Sequence, residues 1–475
     1  MRLGDLGDAI PVEARDKAVS GFAIDHRKIA SGAVFGAFPG ARFNGEDFIP
    51  AAIAAGAVAI VARPEAKVEG AVHIADPEPR RLFAALAARF YAPYPATVVA
   101  VTGTNGKTST VELTRQIWRL LGEKAASVGT LGITTSVDQV STGLTTPDVV
   151  TFLANMSGLK REGITHVAFE ASSHGLDQHR TEGLPIRAAG FTNLSRDHLD
   201  YHGDMDSYFA AKMRLFDEVV DGDGTAVVWT DDERSDAVIA HVVRRGLNLL
   251  TVGEKGETLR LLSRTPTALG QDIVIAADGF EYKIALPLIG AYQSANALVA
   301  AGFVIATGTP LAKVLGALER VQPVRGRMER AVITRTGAPV YVDYAHTPDG
   351  LRAAIEAIRP HTAGRLITIF GAGGDRDAGK RPLMGQVAAE LSDMVIVTDD
   401  NPRGEEPEAI RAAVMAGAPG ASEIGGRRAA IAEAIARAGA GDVVLLAGKG
   451  HEQGQIIGDR VLPFDDVTVA RECAA

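Results

Sequence analysis

The sequence predicts an α/β protein of three domains, on three grounds. The length of 475 residues suggests about three domains at roughly 150 residues each. Two stretches that carry proline or glycine, YAPYP at 91–95 and QPVRGR at 322–327, divide the chain. In the last section, short apolar runs alternate with helical patterns, as in a parallel sheet covered by helices. We therefore predict domains at residues 1–95, 96–323 and 324–475.

The composition is that of a globular protein. Hydrophobic residues make up 46% of the chain and charged residues 23%, which excludes wholesale disorder. A net charge of −9 argues against a nonspecific nucleic-acid coat. No apolar run reaches the roughly 20 residues that span a bilayer, so we expect no membrane insertion. The single cysteine, Cys473, excludes an intramolecular disulfide. The amino terminus lacks the apolar core of a signal peptide, and we expect a cytoplasmic protein.

The last section repeats one pattern of strand and polar loop. Each short apolar run is followed by a polar or glycine-rich segment: DYAHTPDG, GAGGDRDAGKR, TDDNPRGEEP or AGKGHEQG. Ligands of parallel sheets bind outside the carboxyl ends of the strands, so the four segments predict one binding edge. The predicted strands are Val340–Val342, Leu366–Phe370, Met394–Val397 and Val443–Leu446, with helices at Leu351–Ile358 and Glu408–Val414 between them.

The middle section begins with a phosphate-binding pattern. An apolar strand over 97–101 leads into a glycine-rich loop and then a helical pattern over 111–121. Backbone N–H groups of such a loop and the amino terminus of the helix bind phosphate oxygens. We expect Lys107 to reach the β- and γ-phosphates and the Thr108 hydroxyl to ligate Mg²⁺. The predicted loop residues are Gly103, Thr104, Asn105, Gly106, Lys107, Thr108 and Ser109.

This loop is a shortened variant, because Val101 stands where the full pattern has glycine. The alternative is a glycine-rich turn without a functional role. The strand before the loop and the helix after it favour nucleoside triphosphate binding. The base-recognition pattern N-K-x-D of switch proteins is absent from the sequence.

Two further polar residues follow predicted strands of the middle section. Glu170 follows the apolar run 164–169, and His198 lies in the loop after the run 188–192. Beside a phosphate loop, a carboxylate and an imidazole indicate a site for a second divalent cation. Taken singly, each residue is more typical of a structural or solvent-facing polar group than of a metal ligand.

Seven motifs in order along the chain resemble those of the Mur ligases, and the resemblance covers nearly the whole sequence. The resemblance implies an N-terminal UDP-binding α/β domain, a central ATP-binding P-loop domain and a C-terminal Rossmann-like domain. The motifs are GTNGKT, FEASSHGLDQHR, NLSRDHLDYHG, YFAAK, GRMER, DYAHTPD and GAGGDRDAGKRP.

Mur ligases extend the peptide of the peptidoglycan precursor, and the resemblance is greatest to the members that add its third residue. It implies that ATP phosphorylates the D-glutamate side-chain carboxylate of UDP-N-acetylmuramoyl-L-alanyl-D-glutamate, and that an amine attacks the acyl phosphate. It also implies two Mg²⁺ ions. Lys212 matches a lysine that the family carries as a carbamate, which would complete the metal site with Thr108, Glu170 and His198. Without the resemblance, Lys212 is an ordinary helix lysine.

The resemblance assigns further contacts to the nucleotide and to the muramoyl-peptide substrate. Asn296 corresponds to the adenine region, Asp343 to a ribose contact and Arg327 to an arginine near the phosphates. The sequence departs from the usual family residues at His26, Trp229 and Tyr292-Gln293. Positions that resemble the UDP site are Ile24, His26, Ala41, Arg42 and Phe43, and those that resemble the muramoyl-peptide site are Thr145, Thr146, Ser172, Gln178 and Arg180.

The segment Asp400, Asn401, Pro402 and Arg403 resembles the signature of ligases that add meso-2,6-diaminopimelate. Diaminopimelate has a second carboxylate at its far end, which Arg403 can pair with through two hydrogen bonds. L-Lysine has no such group and would leave the guanidinium unpaired. Arg376, Gly448 and Glu452 match the remaining family contacts to this amino acid. The alternative is a proline turn capped by the Asp and Asn side chains.

Two groups of competing functions remain open. One comprises other ligases of the superfamily, such as a folylpolyglutamate synthase or a lysine-adding ligase. The other is a nonenzymatic, nucleotide-gated binding protein, to which the substitutions at His26 and Trp229 give some support. We expect small-molecule substrates, a monomer, and closure of the last domain over the nucleotide.

Overall fold

The structure is a computed structural model that describes residues 1–40, 43–140 and 143–475. It confirms the α/β fold class: over these residues, three main sheets follow one another along the chain. Among the described residues, no helix combines the length and the apolarity needed to cross a bilayer.

The first region is a parallel sheet in the order β1-β2-β3-β4. Its helix α2 packs against the middle region, and the apolar core is continuous from Phe22 and Phe83 to Phe152 and Phe169. The elements are β1 Gly21–Ala23, β2 Ala33–Gly36, α1 Ile49–Ala54, β3 Ala59–Ala62, β4 Val72–Ala75 and α2 Pro79–Tyr91, with short 3₁₀ turns at Leu3–Leu6, Val12–Ala14, His26–Lys28 and Gly45–Phe48.

The middle region is a long mixed sheet in the order β15-β14-β13-β12-β11-β10-β5-β9-β6-β7-β8. The helices and strands up to β10 are β5 Thr97–Thr102, α3 Lys107–Leu120, β6 Ala125–Gly129, β7 Gly132–Thr134, β8 Gln139–Val140, α4 Val149–Arg161, β9 His166–Glu170, α5 Ser173–Asp177 and β10 Ala188–Phe191. The remainder are α6 Leu199–His202, α7 Met205–Arg214, a π-helical segment Leu215–Val219, β11 Thr225–Trp229, α8 Ser235–Arg245, β12 Asn248–Gly253, β13 Leu259–Thr267, β14 Gly270–Ala277, β15 Phe280–Leu286, α9 Ala291–Ala306 and α10 Leu311–Leu318.

Strand β5 lies inside this sheet, between β10 and β9, and is parallel to both. Val98 and Ala100 pack into one core cluster while Val99 and Val101 pack into another, as the two-residue period of a strand requires. Both faces are therefore covered by apolar side chains, which explains why this strand reads as a continuous apolar run. The loop after β5 opens at the carboxyl edge of the sheet.

The last region is the third sheet, in the order β16-β17-β21-β18-β19-β20, which is parallel except for its first pair. The four strands and two helices predicted here are confirmed to within a few residues. The elements are β16 Glu329–Ile333, β17 Pro339–Asp343, α11 Pro348–Ile358, a 3₁₀ turn Arg359–His361, β18 Leu366–Phe370, α12 Lys380–Leu391, β19 Met394–Val397, α13 Pro407–Met415, β20 Ser422–Glu423, α14 Arg427–Arg437, β21 Val443–Ala447, the hairpin β22 Gly454–Ile457 and β23 Arg460–Pro463, and α15 Asp466–Ala474.

Candidate active site

The loop between β5 and α3 has the backbone of a phosphate-binding turn. Gly103 has φ +143° and Gly106, the residue that caps α3, has φ +88°. A Cβ added to Gly106 would overlap the Asn296 side-chain oxygen, and one added to Gly103 would overlap the Thr192 hydroxyl. The turn therefore requires glycine at both positions, for conformation and for space.

Two lysines point at this loop: Lys107, which is partly buried, and Lys212, which is fully buried. The Lys107 ammonium donates to the carbonyl oxygens of Gly103 at 2.9 Å and of Thr104 at 2.8 Å. Lys212, from α7, donates to the same Gly103 carbonyl at 2.7 Å and lies 4.2 Å from the ring centre of Tyr208. Burial lowers the pKa of both amines, and that of Lys212 falls well below its ordinary value. Lys212, which the sequence alone places on an ordinary helix, thus lies beneath the phosphate loop.

Glu170 ends β9 and is buried. Its carboxylate accepts hydrogen bonds from the Thr130 backbone N–H at 2.7 Å and from the Thr130 hydroxyl at 3.1 Å. His198 lies in the loop after β10 with φ +54°, and its ring is 3.5 Å from the Asp197 carboxylate. Desolvation in the cleft is the main cause that lowers the pKa of His198 to about 4; Asp197 opposes the shift, and the nearby Lys107 and Lys212 contribute to it. At neutral pH the imidazole is therefore uncharged and free to act as a ligand.

These side chains share one cleft of about 600 Å³ between the middle and last regions. The middle region contributes the phosphate loop, and the last region contributes residues on and after β17. Among the described residues, no group of three or more His, Cys, Asp or Glu side chains could hold a metal ion. Of the residues predicted to hold Mg²⁺, only Glu170 and His198 belong to these four residue types. The predicted site therefore depends on the carbamate of Lys212. The predicted residues that line the cleft are Thr104, Asn105, Gly106, Lys107, Thr108, Ser109, Thr145, Glu170, Ser172, His198, Lys212, Asn296, Arg327 and Asp343.

Arg327 connects the last region to the phosphate loop. Its Nη2 donates to the Thr108 hydroxyl at 3.1 Å, and its guanidinium lies 4.3 Å from the ring centre of Tyr344. Its Nη1 is buried and has no hydrogen-bond partner in the part of the chain that the structure describes. A buried N–H without a partner is costly, so this group is suited to an anionic ligand in the cleft.

Asp343, the predicted ribose contact, ends β17 at the rim of the same cleft. Its carboxylate accepts from the Tyr292 hydroxyl at 3.1 Å and from the backbone N–H groups of Met328 at 2.7 Å and Ala345 at 2.9 Å. Burial raises the pKa of this carboxyl group. Part of the acceptor capacity of Asp343 is thus used to hold the two regions together.

The predicted muramoyl-peptide residues form one connected cluster beside Glu170. The Thr146 hydroxyl donates to the Glu170 carbonyl at 2.8 Å and lies 2.9 Å from the Ser172 hydroxyl. Arg180 donates to the Thr146 carbonyl at 2.8 Å and to the Gln178 side-chain oxygen at 2.7 Å. The structure therefore brings these residues together at the carboxyl end of β9.

A second cleft, of about 680 Å³, lies between the first region and the start of α4. Ile24, His26 and Phe43 line it, and the His26 ring stacks on Phe48 with ring centres 4.5 Å apart. The predicted contacts Ala41 and Arg42 lie outside the described residues. The cleft is thus lined by the described part of the predicted UDP-binding set.

The predicted amino-acid site lies in the loops after β18, β19 and β21. Arg403 has φ +52° and donates through Nη1 to the Gly374 carbonyl at 2.9 Å, while the Pro402 carbonyl packs against Gly374. The Asn401 amide donates to the Glu452 carboxylate at 2.8 Å. The Asp400 carboxylate lies against Gly448, and the side chains of Arg376 and Arg403 both lie against Gly373. All seven predicted positions therefore lie in one group of loops.

Sequence analysis missed Lys449 in this group. Lys449 is fully buried, and its ammonium donates to Asn401 Oδ1 at 3.1 Å and to Glu452 Oε2 at 2.9 Å. Hairpin β22–β23 supports the same loop: Ile456 N–H donates to Asn401 Oδ1 at 2.9 Å, and Arg403 N–H donates to the Ile456 carbonyl at 3.0 Å. The only signal in the sequence is a lysine between two glycines in AGKGHE, which does not reveal burial.

Comparison with known proteins identifies the family. The model for the Mur ligase family, catalytic domain, matches residues 18–91, the Mur ligase middle domain matches 101–304, and the Mur ligase, glutamate ligase domain matches 326–450. A curated relative from Zymomonas mobilis is 62% identical over 477 residues, covering 99% of this chain and 98% of the relative. The chain belongs to the Mur ligase family.

The relatives carry a specific name. The Zymomonas mobilis protein and one from Caulobacter vibrioides, 52% identical and covering 96% of this chain and 95% of that protein, are each named UDP-N-acetylmuramoyl-L-alanyl-D-glutamate–2,6-diaminopimelate ligase. A solved structure with that name has a TM-score of 0.73 at 31% identity and covers 100% of this chain and 98% of that one. MurF ligase from Thermotoga maritima in complex with ADP, at 20% identity and a TM-score of 0.64 over 96% of this chain and 97% of that chain, shares the fold.

Proposed function

We propose that this protein joins meso-2,6-diaminopimelate to the D-glutamate side-chain carboxylate of UDP-N-acetylmuramoyl-L-alanyl-D-glutamate in an ATP-dependent, ADP-forming reaction of peptidoglycan precursor synthesis. The observation that carries the proposal is the cleft in which a phosphate loop faces the strand ends of a second sheet, in a chain that matches ligases of this name from end to end. It is an amide-bond-forming ligase of the Mur family.

The reaction has two steps. A carboxylate oxygen of the substrate attacks the γ-phosphorus of ATP, the bond from γ-phosphorus to the bridging oxygen breaks, and ADP leaves. The amine of diaminopimelate then attacks the carbonyl carbon of the acyl phosphate, loses a proton, and expels inorganic phosphate to leave the amide. The first step is required because a carboxylate is a poor acyl donor.

The residues around the phosphate loop stabilise the charge that moves during the first step. Backbone N–H groups of the loop and the amino terminus of α3 bind the phosphates. Lys107 turns from the loop carbonyls that it contacts at 2.8–2.9 Å to the β- and γ-phosphates. Arg327 presents its unpaired Nη1 to the same anion. The loop backbone and Arg327 are in position before the nucleotide binds, and only the Lys107 side chain has to reorient.

The donor set suits divalent cations. A hydroxyl at Thr108, a carboxylate at Glu170 and an imidazole that is neutral above about pH 4 line one cleft. Lys212 fits the carbamate role because burial lowers the pKa of its amine well below the ordinary value. This shift favours the uncharged amine, which is the form that adds to CO₂ with release of one proton. These four residues would hold two Mg²⁺ ions. When bound, these ions would neutralise part of the negative charge on the phosphates.

The remaining predicted residues bind the ends of the substrates. Ile24, His26 and Phe43 contact the UDP end in the cleft of the first region. Thr145, Thr146, Ser172, Gln178 and Arg180 hold the peptide end beside Glu170. Arg403 pairs with the distal carboxylate of diaminopimelate, and Glu452 with Asn401 accepts its ammonium group. The protein acts as a cytoplasmic monomer on these small molecules.

The test is phosphate release by the full-length protein with ATP, Mg²⁺ and UDP-N-acetylmuramoyl-L-alanyl-D-glutamate, with meso-diaminopimelate or L-lysine as acceptor. We expect turnover with meso-diaminopimelate and little with lysine. Arg403→Ala should lower kcat/KM for meso-diaminopimelate by on the order of 100-fold or more, because the distal carboxylate then has no partner. Arg460→Ala, in the adjacent hairpin, is the matched control for loss of a nearby guanidinium.

Each alternative gives a different result. Turnover with lysine but not diaminopimelate would keep the reaction and refute the assigned acceptor. ADP release without either the muramoyl dipeptide or an amino acid would indicate an ATPase or a switch. No turnover with any acceptor would favour a nucleotide-gated binding protein.

A further inference from the structure

The nucleotide cleft continues past the phosphate loop into a chamber whose walls differ from the loop itself. Helix α9 supplies one wall through a stripe of residues one turn apart, Tyr292, Ala295, Asn296 and Val299. Trp229, the last residue of β11, supplies another. Four of these five side chains are aromatic or aliphatic, and the charged residues Asp231, Asp232, Glu254 and Arg264 line the same cleft.

The chamber lies where a nucleotide bound at the phosphate loop would place its base. Asn296 lies directly against Gly106 at the start of α3, so the α9 stripe starts at the phosphates and runs into the chamber. When the phosphates of a nucleoside triphosphate are bound at the loop, its sugar and base must extend along one wall of the cleft. In this part of the cleft, the aromatic and aliphatic side chains of α9 and Trp229 offer a flat, apolar surface that suits a purine.

Trp229 is held in place at this position. Its backbone pairs with Val252 of β12, and its carbonyl accepts a hydrogen bond from the Ser235 hydroxyl at 2.7 Å. Its side chain is partly buried, packs against the apolar core of the middle region and lines the cleft. A fixed indole at the edge of a cleft is a stacking surface that costs little entropy to use.

We propose that Trp229 is the stacking surface for the base of ATP, and this rests on the proposed ATP-dependent function. Stacking of a base on an aromatic side chain is worth roughly 10-fold to 100-fold in affinity. Because every base has a π-face, Trp229 contributes to the affinity for the base, whereas the loop binds the phosphates. Trp229 is therefore a further binding residue, at a position where the sequence departs from the usual family residue.

Tryptophan fluorescence can test this proposal. The sequence has two tryptophans, Trp118 and Trp229, and Trp118 is buried in the core behind the phosphate loop, with 1% of its surface exposed. Stacking quenches indole emission. Titration with MgATP should therefore quench the emission of the wild-type protein, whereas inorganic tripolyphosphate, which has the phosphates but no base, should bind without this quench. Trp229→Phe leaves Trp118 alone and should lose the response.

The decisive comparison is the affinity of Trp229→Leu for the two ligands. Leucine keeps an apolar side chain against the core but has no π-face. We expect its Kd for ATP to rise roughly 10-fold to 100-fold, with the Ki of tripolyphosphate as a competitor unchanged. Phe280→Leu, which removes an exposed aromatic ring from the turn of β15, is the control and should change neither constant.

Two results would overturn the proposal. In one, Trp229→Leu binds ATP as tightly as the wild type, which means that the indole does not contact the base. In the other, both ligands lose affinity equally, which means that the substitution distorts the phosphate loop. In both cases the wild type still binds ATP, and the proposed function stands. A wild-type protein that binds neither ligand would instead overturn the proposed function together with this inference.

Discussion

At the scale of single residues, Lys449 shows how one buried charge fixes the orientation of two others. Its ammonium lies between the Asn401 side-chain oxygen and the Glu452 carboxylate, and the Asn401 amide in turn donates to Glu452. Because all three groups are tied to one another, the side chains proposed to hold the ammonium of diaminopimelate cannot rotate independently. Lys449 is thus a positioning residue.

We expect Lys449→Met to lower kcat/KM for meso-diaminopimelate by about 100-fold, because Asn401 and Glu452 lose the cation that orients them. The KM for ATP should change little, since Lys449 does not line the nucleotide cleft. Leaving Glu452 without its buried partner should also lower the free energy of unfolding of the last domain by about 3 kcal/mol. Steady-state kinetics with each substrate varied, and denaturant unfolding, measure both.

The split between the two KM values separates positioning from general damage. Lys313→Met, which removes an exposed lysine from α10, should leave both constants and the stability unchanged. Equal increases in the KM for ATP and for diaminopimelate would show that Lys449 only stabilises the domain.

The residues that sequence analysis located are those whose signal is local. Glu170 and the Lys107 loop follow apolar runs directly, and the carboxyl edge of a parallel sheet brings such positions together. Contacts such as Arg327 with Thr108 join residues 219 positions apart and leave no local pattern. The same holds for Arg427 and Asp466, a fully buried ion pair at 2.6 Å, since arginine and aspartate are ordinarily read as surface residues.

At the scale of elements, the turn into α3 depends on the absence of a side chain at Gly106. This glycine has φ +88° and its Cα faces the Asn296 side chain, so both the backbone and the space exclude a Cβ. Gly122, at the other end of the same helix, has φ +94° but has no described atom within 4 Å of an added Cβ. An alanine at Gly122 would therefore introduce backbone strain alone, whereas an alanine at Gly106 would introduce both backbone strain and a steric clash.

We expect Gly106→Ala to reduce ATP affinity by more than 100-fold, because the turn must move away from Asn296 and its N–H groups then miss the phosphates. Gly122→Ala should cost only the left-handed backbone strain of about 1 kcal/mol and bind ATP normally. Isothermal titration with ATP and thermal unfolding of both variants provide the comparison. Similar ATP affinity for the two variants would mean that the turn tolerates a Cβ and that Gly106 is not required for space.

The strands of the last sheet that the sequence predicts are those with both faces buried. Strands β17, β18, β19 and β21 are continuous apolar runs because helices cover both sides of their sheet. The ribbon β13–β15 has exposed and buried positions interleaved along each strand, and no prediction was made for it. Its parallel pairing with β12, which extends the middle sheet, depends on tertiary contacts that no local window contains.

At the scale of the whole molecule, polar contacts between the middle and last regions hold the last region over the nucleotide cleft. Three of them join two side chains. Arg327 donates to Thr108, Tyr292 donates to Asp343, and Arg196 lies 3.5 Å from Asp377. Arg327 differs from the other two because one of its N–H groups has no partner among the described residues. A bound phosphate would satisfy that group and link both regions through a single ligand. We therefore expect closure of the last domain to be coupled to nucleotide occupancy through Arg327.

We expect Arg327→Ala to lower kcat on the order of 100-fold, since a preorganised donor to the transferring phosphoryl group is lost. It should also abolish the decrease in radius of gyration that an ATP analogue with both substrates produces in the wild type, measured by small-angle scattering. Arg325→Ala is the matched control: Arg325 lies two residues away but pairs with Glu329 at 2.8 Å and Asp465 at 2.6 Å, inside the last region. If Arg325→Ala impaired compaction as strongly, the effect would belong to the linker. If the wild type failed to compact, closure itself would be refuted. The exclusion of water from the acyl phosphate could then not be attributed to a movement of the last domain.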